Sequence, residues 1–273
     1  MTTEMPGGSL EADLMVARHA AEQAGEIIRR AWGQSLQVWS KGKVDLVTEI
    51  DLAAEKAIVS TLRSQRPADR IIGEEGGQQE SGGGARTWFV DPLDGTTNFS
   101  HGVPHFCVSV GLVDDEGPRV GVVYEPLRQW CFSALRGGGA WLNGQRLNVS
   151  TAPDLGQSVL ATGFPYNKWV EPDNNGHRFT HLLRKTRGLR RMGAAALDLC
   201  YVAAGWFDGY WEFRLKPWDV AAGVLLVTEA GGKVSSFEGG PIDLQSGALV
   251  ATNGMFHVEL INALAEAEET RTS

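Results

Sequence analysis

"VDPLDGTTNF", residues Val90 to Phe99, places two carboxylates, Asp91 and Asp94, three positions apart. Pro92 stiffens the link between them, and Gly95, Thr96 and Thr97 follow at once. Two readings compete. Asp-Pro and Asp-Gly are ordinary turn dipeptides. Alternatively, two acids, a permissive glycine and two hydroxyls make a cation site with a phosphate docked beside it. The flanks bear on the choice. "TWFVDP" (87–92) reads as a short buried strand ending in an acid, and so does "RIIGEEGG" (70–77) with Glu74. Between them "GGQQESGGGA" (76–85) is a mobile loop by composition.

Further out, Leu10, Leu14, Ala17, Ala21, Ala24 and Ile28 follow helical spacing through about Arg30, and residues 1–9 before them read as disordered. A second helix runs from about Asp51 to Ser64, with Pro67 beyond its end. "CVSVGLV", "RVGVVYE" and "WCFSAL" read as strands, and Asn143-Gly144 as a hairpin turn. The second half alternates. A strand near "SVLATG" precedes helices at 174–187 and 195–205, then "FDGYWEF" as a strand, a helix from Pro217, "GALVATN" as a strand and a last helix at 255–267. This pattern predicts stacked α and β layers in a single domain over 10–267, with any lobe boundary near residue 150.

The chain has 273 residues, 42% hydrophobic and 21% charged, enough for a large core. No apolar run reaches membrane-span length, and "MTTEMPGGSLEAD" lacks the apolar region of a signal peptide. Cys107, Cys131 and Cys200 have no paired or metal-ligand spacing, which suits a reducing cytoplasm. A net charge of −8 argues against non-specific binding to nucleic acid or anionic membranes. It also repels an anionic substrate unless the site supplies its own positive charge.

Taken singly, each acid has a bland explanation. Thr48 and Asp51 are spaced as a helix-capping pair. Asp219, two residues after Pro217, suits the first turn of a helix. Glu74 could be a solvated loop acid. Together they read differently. Asp91, Asp94 and Glu74 all sit at strand ends, and carboxylates meeting in one cleft cannot all ionise without compensation. Hard divalent cations such as magnesium are their natural partners, and no His–Cys cluster argues for zinc. A bound cation turns an acidic pocket into an anion receptor. Free N–H groups at Gly95, Thr96 and Thr97 then face a phosphate, and the whole suits metal-assisted phosphoester hydrolysis.

These segments resemble the inositol monophosphatase family of lithium-sensitive magnesium phosphatases. "DLVTEIDLAAEKAI", "IIGEEG", "WFVDPLDGTTNFSHGVPHFCVSVGL", "RRMGAAALDLCYVAAGWFDGYWEF" and "KPWDVAAGVLLVTEAGGKV" carry the resemblance, in order, over about residues 12–265. It implies an α-β-α-β-α sandwich of the inositol monophosphatase and fructose bisphosphatase type, a homodimer, and two to three Mg2+ per site. Glu74, Asp91 and the Leu93 carbonyl would hold the first ion. Asp91, Asp94 and Asp219 would hold the second, and a weaker third would lie near Glu74. Thr96, polarised by Asp51, would orient the attacking water, so Asp51, Thr96 and Glu74 form the catalytic set. The N–H groups of Gly95 and Thr96 would hold phosphate oxygens.

Substrate choice is less sharply written. The resemblance makes Glu212 the acid that accepts hydroxyls of a polyol; its bland reading is a strand-edge acid facing solvent. At Gly193-Ala194 the family commonly has Ser or Thr in the second place, so one polar substrate contact is lost here. Lys41 or Lys43 is an approximate counterpart of a lysine found in some members. Inositol 1-phosphate is the favoured ester, with fructose 1,6-bisphosphate, histidinol phosphate or a nucleotide phosphate as alternatives. The basic run "RKTRGLRR" (184–191) reads first as a solvated helix end, with Arg190 or Arg191 able to reach substrate or a dimer partner. Some bacterial members bind RNA-handling machinery, so a non-enzyme alternative is an interaction partner of RNA or transcription machinery. His177 and His181 read as surface or packing residues, and Trp211 as core or a sugar platform.

Overall fold

Ser9 ends the stretch expected to be disordered, yet its hydroxyl accepts from the Ala12 N–H at 3.2 Å and opens α1 (Leu10–Ala31). The structure, a computed structural model, describes residues 9–34, 38–40, 46–79 and 84–272; Lys41, Lys43, residues 1–8 and 80–83 of the glycine-rich loop lie outside them. β1 (Val38–Ser40) and β2 (Leu46–Thr48) pair as a short ribbon leading into α2 (Glu49–Gln65). This helix starts two residues earlier than its apolar stripe suggests, because the Thr48 hydroxyl caps it.

β3 (Arg70–Gly73), β4 (Gly77–Gln79), β5 (Thr87–Asp94), the short α3 (Thr96–Ser100), β6 (Cys107–Asp114), β7 (Gly117–Glu125), β8 (Trp130–Leu135), β9 (Gly139–Leu142) and β10 (Gln145–Arg146) follow. They build an eight-stranded sheet in the order β10-β9-β8-β7-β6-β5-β3-β4, antiparallel except where β3 runs parallel to β5. Asn143 (φ 48°) and Gly144 (φ 83°) make the expected two-residue turn of the β9–β10 hairpin.

Between Arg146 and Val159 the chain changes sheets. β11 (Val159–Thr162), α4 (Gly176–Leu183), β12 (Gly188–Arg190), α5 (Ala195–Ala203), β13 (Gly209–Glu212), α6 (Pro217–Glu229), β14 (Lys233–Ser235), β15 (Leu249–Thr252) and α7 (His257–Thr272) complete the fold. The second sheet runs β12-β11-β13-β15-β14. The helix expected over 174–187 stops at Leu183. The Arg187 N–H donates to Ser158 O at 2.9 Å, and the chain joins the sheet as edge strand β12.

Five layers result. α1 and α2 cover one face of the large sheet, α5 and α6 lie between the two sheets, and α4 and α7 cover the far side of the small one. Strand alternation sorts the core accordingly. Val110, Val120 and Val122 face α1, whereas Val123, Phe132 and Ala134 join the cluster of α5 and α6. Paired glycines set how closely α6 approaches. A Cβ on Gly111 would fall 2.9 Å from Ala221 Cβ, and one on Gly121 would fall 2.7 Å from Ala222 O. With no side chain in the way, α6 lies hard against the sheet, and its first turn reaches the end of β5.

Candidate active site

Residues three apart on a regular strand point to opposite faces. Asp91 and Asp94 escape that rule through a bulge. Asp91 pairs with Ser109 and Asp94 with Cys107, so β5 uses one more residue than β6 over this stretch. The extra residue returns both acids to the α6 side of the sheet. Pro92 sits inside the bulge, where its missing N–H costs little. Opposite Asp91, the Ser109 hydroxyl donates to Trp218 O at 3.1 Å, which brings Asp219 to the same place. The Asp219 carboxylate accepts from the Lys216 N–H at 2.7 Å. Glu74 follows β3, and its N–H donates to Val90 O at 3.1 Å, beside Asp91.

Four carboxylates thus lie close enough to repel one another. Burial pushes the Asp91 carboxyl well above its ordinary value, and Glu74, Asp94 and Asp219 push it further. Burial does the same to Asp219, against the Lys216 N–H, with Asp94, Glu74 and Glu212 adding repulsion. Asp94 is raised by burial to about 6, moderated by the Ala196 and Ala195 N–H groups at the start of α5. Such a set is stable in its ionised form only around a cation. The donors are carboxylate oxygens and the nearby Leu93 carbonyl, which suits a hard divalent ion. Cys107 Sγ lies 3.8 Å from Asp94 Oδ2, but burial raises its thiol pKa and keeps it protonated, a poor ligand for zinc.

Asp51 serves two purposes at once. Its Oδ2 accepts from the Thr48 N–H at 2.8 Å, completing the capping box of α2, while Oδ1 lies 3.0 Å from the Thr96 hydroxyl. The Thr96 hydroxyl is also 2.9 Å from Leu93 O, so its single proton is held by one acceptor or the other and its lone pairs turn outward. Gly95 precedes α3 with φ 92°, a conformation disfavoured for other residues, and a Cβ there would lie 3.0 Å from His105 O and 3.3 Å from Ala194 Cβ. Ala194 and Gly193 therefore do come up against the Gly95 turn. Asn98 pins that junction by donating to His105 O at 2.8 Å and Met192 O at 2.9 Å.

Glu212 is not a strand-edge acid. β13 is the central strand of its sheet, and the Glu212 carboxylate lies over Gly163, where a Cβ would come within 2.0 Å of Oε1. Burial raises it to about 7, with Tyr210 OH and Arg191 opposing the shift. Arg191 packs over Gly193, whereas Lys185 pairs with Glu266 at 2.5 Å, so only the far end of the basic run approaches the acids. Trp211 is fully buried and donates to Asn175 Oδ1 at 3.0 Å; it is core, with no face for a sugar. His177 is likewise a packing residue. It joins Asp173 and Glu268, whose ligand atoms lie within 4.8 Å of one another, but Arg178 already pairs with both acids there. Asn98, and Glu55 on α2, whose carboxylate accepts from the Glu75 and Gly76 N–H groups, escaped the sequence reading. Nothing in a local pattern marks a side chain whose partner is distant in sequence.

A family model described as the inositol monophosphatase family matches residues 9–269. An inositol-1-monophosphatase of Synechocystis is 46% identical over 257 residues, 94% of this chain and 90% of that protein. A protein of Pseudomonas aeruginosa named Nus factor SuhB is 50% identical over 246 residues, 88% of this chain and 91% of that one. The solved structure of inositol monophosphatase from Anabaena superposes with a TM-score of 0.87 at 40% identity, covering 94% of this chain and 96% of that chain. Fold, motif order and full-length likeness agree, and the chain belongs to the inositol monophosphatase family of phosphatases.

Proposed function

We propose that this phosphatase is magnesium-dependent and hydrolyses a small polyol or sugar monophosphate, with inositol 1-phosphate as the favoured ester. The convergence of Glu74, Asp91, Asp94 and Asp219 beside the Thr96–Asp51 pair carries the reading. Glu74, Asp91 and Leu93 O would hold one ion, and Asp91, Asp94 and Asp219 a second, with a third near Glu74. Bound magnesium supplies the positive charge that admits a phosphate dianion to an acidic cleft and steadies the leaving oxygen. The chain does the rest. Gly95 and Thr96 N–H groups bind phosphate oxygens, and Thr96, its proton held by Asp51, orients a water for in-line attack. The water oxygen bonds to phosphorus as the bond from phosphorus to the ester oxygen breaks; the attacking water gives up one proton to solvent and the departing oxygen takes one, leaving the alcohol and inorganic phosphate.

Glu212 would accept hydroxyls of the alcohol half, a contact that discriminates well in a recessed site. Ala194 offers no hydroxyl of its own, which favours a broader ester range than inositol alone. The test is phosphate release from inositol 1-phosphate, fructose 1,6-bisphosphate, histidinol phosphate, 2′-AMP and adenosine 3′,5′-bisphosphate, each with magnesium and with EDTA. Magnesium-dependent release, greatest for inositol 1-phosphate and inhibited by millimolar lithium, is the expected result. Glu212→Gln should raise KM for inositol 1-phosphate about tenfold, the cost of one charged hydrogen-bonding partner. No release from any ester would sink the reading.

A second reading rests on the likeness to the Pseudomonas aeruginosa protein named Nus factor SuhB. By analogy this chain would also bind transcription machinery from the cytoplasm, as a homodimer or through a surface the dimer leaves open. Co-purification with RNA polymerase and its elongation factors tests this independently of hydrolysis.

A further inference from the structure

We propose that Glu55 is a positioning residue for the turn that carries Glu74, and that it sets cation affinity without touching the cation. This rests on the metal-site reading above. Glu55 lies four residues after Asp51 on α2, hence on the same helix face. That face presents Asp51 to Thr96 and Glu55 to the turn after β3. Glu55 is only 4% exposed. Its Oε2 accepts from the Glu75 N–H at 2.9 Å, and its Oε1 accepts from the Gly76 N–H at 2.6 Å. A carboxylate gripping two successive N–H groups fixes the peptide planes of the turn.

The other side of Glu74 is fixed as well, since its own N–H donates to Val90 O at 3.1 Å. Glu74 therefore projects from a backbone held on one side by the sheet and on the other by α2. Gly73 completes the device. A Cβ there would fall 2.4 Å from Glu55 Oε2, so a side chain would displace the carboxylate from the turn. A buried acid is a costly way to close a tight turn unless the turn must be placed accurately. Groups that orient a metal ligand through hydrogen bonds commonly govern affinity by 10–100-fold.

The test compares wild type, Glu55→Gln, Glu55→Asp and Gly73→Ala by calorimetric titration with magnesium chloride, by the magnesium-induced rise in Tm, and by amide exchange at Glu75 and Gly76. Gln turns an N–H donor toward one of the two backbone donors; Asp keeps the charge but is one methylene too short for both bonds. Each variant is expected to weaken magnesium about 10–100-fold, to reduce the Tm rise at a fixed magnesium concentration, and to speed exchange at both amides. Hydrolysis should recover as magnesium is raised. Unchanged magnesium binding in all variants overturns the proposal, even if the metal-free Tm falls. Weakening by Gln but not by Asp also overturns it, because net charge alone would then be acting. Wild type that binds no magnesium overturns the metal-site reading, and unchanged exchange at Glu75 and Gly76 overturns the clamp separately. Should the Gln variant fail to fold, Gly73→Ala leaves the acid in the chain and reads the same displacement.

Discussion

Asp94→Asn is expected to abolish phosphate release while making the magnesium-free protein more stable at pH 8. The loss follows from the site. Asp94 belongs to the second proposed ion set, and losing the transition-state stabilisation that ion would supply costs on the order of 10²–10³-fold in kcat or more. The gain follows from electrostatics. The unfolded carboxyl titrates near 3.8, and burial raises the folded one to about 6. Between those values the folded protein binds the extra proton, so wild-type stability rises as pH falls from about 6 towards 4. Above pH 6 the folded state holds an ionised, poorly solvated acid, and Asn removes that penalty. Its Oδ1 can still accept from the Ala196 N–H, which Asp94 Oδ2 takes at 2.7 Å. The gain, discounted for partial solvent screening, is about 1–2 kcal/mol, or roughly 2–8 °C in Tm. It should shrink to about half at pH 5, where folded wild-type Asp94 is protonated but the unfolded acid is not, and vanish only below about pH 3.8. Thermal melts of EDTA-treated proteins at both pH values check the sign. A variant that hydrolyses normally removes Asp94 from the site, and one that melts lower at pH 8 contradicts the repulsion among the acids. Because the fold survives, the same variant tests the transcription reading: a binding role would persist without hydrolysis.

Asp13→Ala should have the largest effect on stability, far from any chemistry. Asp13 is fully buried on α1, and its oxygens lie 2.6 Å from Arg66 Nε, 2.9 Å from Arg86 Nη1 and 3.7 Å from Arg119 Nε. Arg86 continues the network to Asp69, which also accepts from Trp88 Nε1 at 2.9 Å. One carboxylate thus ties α1 to the residue after α2 and to the edges of β5 and β7. Removing it leaves guanidinium groups clustered with too little negative charge. Breaking a buried pair from one side costs about 3–5 kcal/mol, which lowers Tm by roughly 10 °C or more. Denaturant melts read the loss. Activity measured well below the new Tm should be unchanged, because the network lies at the opposite end of β5 from Asp91 and Asp94. A change under about 1 kcal/mol, the value of an exposed pair, would show that the network is solvated.

Much of this protein is legible without its structure, and the reason is local. The spacing from Leu10 to Ile28, Thr48 before α2, Pro217 opening α6 and Asn143-Gly144 in its hairpin each act within one turn of chain, so each can be read residue by residue. The same holds for the suspicion attached to Asp91, Asp94, Glu74 and Asp219, since a cleft of acids implies a cation whatever the fold. Ordered motifs extended that suspicion to the family. Tertiary structure decided what depends on distant partners. The bulge that puts Asp91 and Asp94 on one face exists only relative to β6. Residues 188–190 form a strand instead of continuing α4 because Ser158 O is there to accept from Arg187. Glu212 is interior because β11 and β15 flank its strand, and Trp211 is core because Asn175 meets its ring. Glu55 looks like any helix-surface glutamate until the β3 turn folds against it. Short-range hydrogen bonds and helical spacing are written in neighbouring residues; a pairing between strands or layers is chosen only when the whole chain packs.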